Sequence, residues 1–141
     1  MSKRGFVAVQ ESFFDETGKA FQFLTSEFGM NGPELRTVLL PAVAFGGRGI
    51  RYVIKLDVSG MSLVTQAEVE LEASRLIAKL PELVQAARIG ARNHVTSKAT
   101  TLSGLKHTLK LHARYVRQLQ PLMEPDHVLA LMRAANAREW D

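Results

Sequence analysis

Ile50-Arg51-Tyr52-Val53-Ile54-Lys55-Leu56-Asp57-Val58-Ser59 is the stretch on which the fold turns. Ile50, Tyr52, Ile54, Leu56 and Val58 alternate with Arg51, Val53, Lys55 and Asp57. That is the two-residue period of a strand with one buried face and one mostly wet face. A strand needs neighbours, and the flanking segments must supply them. Just before it, Gly46-Gly47-Arg48-Gly49 offers glycines suited to a hairpin turn. Glu34 to Leu40, bracketed by two prolines, can be read as a short helix with Pro33 at its first position, or Thr37 to Phe45 as the partner strand. The β-branched Thr37, Val38 and Val43 favour the strand. Pro41 cannot donate a ladder hydrogen bond, which predicts an edge position or a bulge for this strand.

Further upstream, Gly5 to Phe14 is rich in Phe and Val and reads as a strand. Asp15-Glu16-Thr17-Gly18 reads as a turn, and Lys19 to Leu24 as the answering strand. Glu27 to Pro33, with two glycines and a proline, breaks regular structure. Phe13, Phe14, Phe21, Phe23 and Phe28 fit a buried sheet face better than a base-stacking platform.

Downstream, Gly60-Met61-Ser62 closes the sheet region. Thr65 with Glu68 has capping-box spacing, and Glu68, Glu70 and Glu72 suit the positive end of a helix dipole. A helix is therefore expected from Thr65, with Pro81 forcing a kink or a new start between Ile77 and Glu82. Its second piece carries Arg88 and Arg92 and ends near Asn93, and His94 to Thr101 reads as a polar, mobile linker. Leu102, Leu105, Leu109, His112, Val116 and Leu119 then recur at alternating three- and four-residue spacing, the stripe of an amphipathic helix over Leu102 to Leu119. Pro121 and Pro125 end it, Asp126 is positioned as N-cap of a last helix, and Trp140 is expected to close the core. Strands first and helices after make an α+β fold in one domain spanning residues 1–141. About four antiparallel strands lie in residues 1–60, and three or four helices in residues 61–141 pack on one sheet face.

Charge is unevenly distributed along this chain. Residues 1–82 carry a net −1, residues 83–123 a net +7 and residues 124–141 a net −2. The middle segment holds Arg88, Arg92, Lys98, Lys106, Lys110, Arg114 and Arg117 and no acid. Lys106, Lys110, Arg114 and Arg117 follow one another at about one-turn intervals along one side of the long helix, with no acid at i,i+4 to pair with them. Three arrangements satisfy such a stripe. It can hold the phosphates of DNA or RNA, it can be a solvated face, or it can meet Glu68, Glu70 and Glu72 within the fold or on a second copy. The asymmetry points to an anionic partner, so the seven cations are the candidate nucleic-acid-binding residues. Four phosphate contacts on duplex DNA would give a slope of log K against log salt near −3.6, at about −0.9 per contact. An acidic protein surface or a homo-oligomer interface on the helices is the alternative.

No enzyme signature accompanies these cations. The chain of 141 residues has no cysteine, so disulfides, thiolate metal sites and cysteine nucleophiles are excluded and a reducing, cytoplasmic location is expected. His107 and His112 are five residues apart, off the shared face of i,i+4 metal ligands, and His112 lies on the apolar stripe as a core or interface histidine. Ser103 and His107 lack the strained elbow and orienting acid of a hydrolase. No glycine-rich loop has nucleotide-binding spacing. No catalytic residue, metal or cofactor is assigned. The run after Lys3 and Arg4 is cut short by Gln10 and Glu11, and Thr37 to Gly47, the longest uncharged stretch, is about half a membrane span. The expectation is a non-enzymatic nucleic-acid-binding or nucleic-acid-associated accessory protein with no membrane partner.

Overall fold

Ile50–Asp57 is a strand, as its alternation requires, and it is the third of six. The computed structural model describes residues 3–37 and 39–140, with side chains from residue 6 onward. Its strands β1 (Asn31–Arg36), β2 (Ala42–Gly47), β3 (Ile50–Asp57), β4 (Ser62–Glu70), β5 (Arg75–Lys79) and β6 (Arg138–Trp140) form one antiparallel sheet in sequence order. Five helices accompany it: α1 (Lys3–Ala20), the single turn α2 (Phe23–Ser26), α3 (Leu80–Ala86), α4 (Leu102–Leu119) and α5 (Val128–Ala134). The expected sheet of about four strands followed by helices is therefore corrected to six strands, with helices before the sheet and between β5 and β6.

Three segments account for the difference. Gly5 to Phe14, Asp15 to Gly18 and Lys19 to Leu24 are not a hairpin but mostly α1. Phe6, Val9, Phe13 and Thr17 recur at three- and four-residue spacing and are all buried, and Lys19 meets Asp15 at 3.0 Å across one turn. The helix expected from Thr65 is instead β4 and β5. Leu63, Thr65, Ala67 and Val69 point to the core, so Gln66, Glu68 and Glu70 point the other way. In β6, Trp140 stands in register with Arg75 on that outer side and is 49% exposed, so it does not close the core.

The proline and hairpin expectations divide. The β2–β3 turn carries two left-handed residues, Arg48 (φ 57°) and Gly49 (φ 80°), as the tight hairpins that follow strand twist require. Pro41 falls just before β2, which is interior; the edge strand beside it is β1, which holds Pro33 and has an irregular register between Asn31 and Glu34. Pro81 sits in the first turn of α3, so a new helix begins inside the expected window.

All five helices contribute to one apolar core against a single face of the sheet, where Phe45, Tyr52, Ile54, Leu56 and Leu63 are nearly fully buried. Among the described residues no helix covers the opposite face, whose small apolar floor is Ala42, Ala44 and Val53. No described helix is long and apolar enough to cross a membrane.

Candidate nucleic-acid interface

The basic stripe belongs to α4, whose bounds match its apolar period. The Thr101 hydroxyl caps it by accepting from the Gly104 N–H at 3.0 Å. Leu105, Leu109, His112, Val116 and Leu119 are buried, and with them Thr108, Ala113 and Tyr115. Two neighbours flank the helix. The long helix α1 runs against one side, while α3 and the turn after it lie against Tyr115 on the other. Gly90 permits that second approach, since a Cβ there would stand 3.0 Å from the Tyr115 ring.

The seven cations are all exposed, yet they do not form one uncompensated field. Lys106 lies 4.0 Å from Glu16 of α1. Arg117 pairs with Glu27 at 2.6 Å and rests over the Phe23 ring at 4.7 Å. Arg92 opens a short 3₁₀ turn and pairs with Glu82 at 3.1 Å. Among the described residues, Arg88, Lys98, Lys110 and Arg114 have no ion pair. Arg114 sits 5.8 Å over the Tyr115 ring, and Arg88 follows α3 in a left-handed conformation (φ 59°). Lys106 and Lys110 share a hollow with Lys19, His107 and Glu16, whereas Arg92 lines a separate one with Lys79 and Glu82.

The acids that answer the stripe are therefore Glu16 and Glu27, not Glu68, Glu70 and Glu72. On the far face of the sheet, Glu68 accepts from Gln66 Nε2 at 3.0 Å and stands 3.7 Å from Arg75.

Residues 94–101, expected to be a mobile linker, are tied to both neighbours. Leu63 N–H donates to the Ser97 carbonyl (2.7 Å) and Ala99 N–H to the Met61 carbonyl (3.0 Å), extending the β4 ladder beyond the end of β5. The Thr108 hydroxyl donates to the Lys98 carbonyl at 2.6 Å. His112 Nε2 donates to the Thr96 carbonyl at 2.7 Å, which fixes the proton on that nitrogen and leaves Nδ1 to accept from the Thr65 hydroxyl at 2.8 Å. Burial holds the imidazole below the usual histidine range, against a smaller opposing effect of the Thr96 carbonyl. His112 is thus a neutral core histidine that helps place Lys98.

Among the described residues, no three His, Asp or Glu side chains converge as metal ligands. Sequence reasoning missed Glu16, Glu27 and Lys19 as members of this surface, because their positions follow from α1 and α2 being helices beside α4. Comparison with protein-family models, curated proteins and solved structures finds no match for this chain.

Proposed function

We propose that this chain is a non-enzymatic nucleic-acid-associated accessory protein that holds backbone phosphates on the outer face of α4. One observation carries the reading: Lys110 and Arg114, one turn apart and exposed, pair with no acid among the described residues. Cations so placed are free to displace condensed counterions without first breaking an internal pair. Lys98 and Arg88 are likewise unpaired and exposed. Lys106 and Arg117 join only by leaving Glu16 and Glu27.

The compensation lowers the expected salt dependence. Two contacts, Lys110 and Arg114, give a slope of log K against log salt near −1.8 on duplex DNA, and full engagement of the four-cation stripe gives about −3.6. Affinities for single-stranded and duplex oligonucleotides of unrelated sequence, measured at several salt concentrations, test this. The expected outcome is weak sequence dependence with a slope between those values; no binding at low salt excludes the reading.

A protein-interaction module is the second reading. The Lys106–Glu16 pair with α1 and the Arg117–Glu27 pair at the end of α2 favour it, because a mixed-charge surface suits a protein partner better than a uniform polyanion.

A further inference from the structure

Lys19 of α1 joins Lys106, His107 and Lys110 of α4 around one hollow of about 520 Å³ on the seam between the two helices. All four residues are exposed. Glu16, the acid that also lines the hollow, stands 4.0 Å from Lys106, at the outer limit of an ion pair. Lys19 reaches Asp15 at 3.0 Å, with both side chains mostly exposed, and Lys110 pairs with no acid among the described residues. Counting Asp15 with Glu16, three lysines face two acids, and the imidazole adds a further donor. We propose that this hollow receives the terminal phosphate monoester of a nucleic-acid strand. The inference rests on the phosphate reading of α4 and adds which phosphate the helix holds first.

The arrangement of the cations selects the end of a strand over its middle. Cations strung along a helix suit successive diesters, each carrying about one charge. Here cations from two helices gather at one point, which suits a group that concentrates charge. A phosphate monoester carries about −1.5 to −2 at neutral pH and offers three strong acceptor oxygens. The ammonium groups and the imidazole N–H can share those oxygens, with lysine acting as a point charge on phosphate. The hydrogen bond to Asp15, with the charges of Asp15 and Glu16, holds the Lys19 ammonium above its ordinary pKa, so it stays charged at neutral pH. Exposed pairs such as Lys19–Asp15 are weak and screened, so the monoester competes for both paired lysines where a diester does not. Beyond the hollow, Arg114 lies one turn past Lys110 and meets the next phosphate of the strand.

Fluorescence anisotropy at low salt tests this with one single-stranded dodecamer, made with hydroxyl ends, with a 5′ phosphate or with a 3′ phosphate. One of the two phosphorylated ends is expected to tighten binding about tenfold, the order of a hydrogen bond to a charged group. A hydroxyl-ended strand one nucleotide longer adds a charge without a monoester and should bind as the dodecamer does. Lys19 is exposed and lies outside α4, so Lys19→Gln should keep the fold, which thermal unfolding checks. That variant should bring the phosphorylated strand close to the affinity of the hydroxyl-ended one. The proposal is overturned if phosphorylated and hydroxyl-ended strands bind alike, a result that leaves the phosphate reading standing, or if Lys19→Gln keeps the full gain. A phosphoserine peptide that binds as tightly as the phosphorylated strand would overturn it in favour of a protein ligand. Failure of every strand to bind would sink the phosphate reading along with it.

Discussion

The Thr65 hydroxyl donates to His112 Nδ1 at 2.8 Å inside the core, joining β4 to α4. With the opposite nitrogen donating to the Thr96 carbonyl, the neutral ring has both of its partners, and burial opposes its protonation. Its folded-state pKa is depressed by burial, so the unfolded chain takes up a proton at a higher pH than the folded one. The stability from this group is complete above the ordinary histidine value of 6.5 and declines as pH falls from there toward the folded value. Urea midpoints should accordingly fall more steeply between neutral and mildly acidic pH for the wild type than for His112→Gln. Thr65→Val, which strands Nδ1 without a donor, should cost about 1–3 kcal/mol at neutral pH.

Gly90 fixes how the Arg88–Arg92 turn meets α4. A methyl at this position would approach the Tyr115 ring to 3.0 Å and Val84 Cγ1 to 3.1 Å. Gly90→Ala should therefore destabilise the fold by about 1–3 kcal/mol, as overpacking does. Pairing it with Tyr115→Phe tests the origin, since the hydroxyl oxygen is one of the close atoms, at 3.1 Å. Denaturation of the single and double variants should show partial relief; equal destabilisation in both backgrounds would place the strain elsewhere.

Arg117 and Glu27 make the shortest ion pair on the surface described, with side chains about half exposed. Exposed pairs couple by about 0.2–1 kcal/mol, so a double-mutant cycle with Arg117→Ala and Glu27→Ala should return a value in that range. Part of any excess in Arg117→Ala alone reports its lost contact with the Phe23 ring. Raising salt should shrink the coupling.

What was legible in the sequence follows from how strongly each segment repeats its period. The helix α4 was readable to its ends because 18 residues carry an uninterrupted apolar stripe behind a threonine cap. The strand β3 was readable because five apolar residues alternate without a break. The helix α1 was not, since its Phe and Val content outweighed the helical spacing of Phe6, Val9, Phe13 and Thr17. In β4 the Thr65–Glu68 spacing of a capping box competed with alternation, although Glu68, Glu70 and Glu72 recur every second residue as on one side of a strand. The three residues of β6 were too few to show a pattern. The candidate surface was half legible: its cations were visible as an acid-free run, but Glu27 lies 90 residues from Arg117 and meets it only through the tertiary fold.

The uncompensated cations of α4, rather than its total charge, are expected to hold phosphates. Two double variants remove the same charge: Lys110→Ala with Arg114→Ala, and Lys106→Ala with Arg117→Ala. All four positions are exposed, so both proteins should fold, which thermal unfolding checks. Their affinities for one duplex and one single-stranded oligonucleotide at low and moderate salt decide the matter. Losing Lys110 and Arg114 should abolish most binding and lower the salt slope by about two units, while losing Lys106 and Arg117 should have the smaller effect on both. Equal losses in the two variants, or a wild type that binds neither oligonucleotide at low salt, would contradict it.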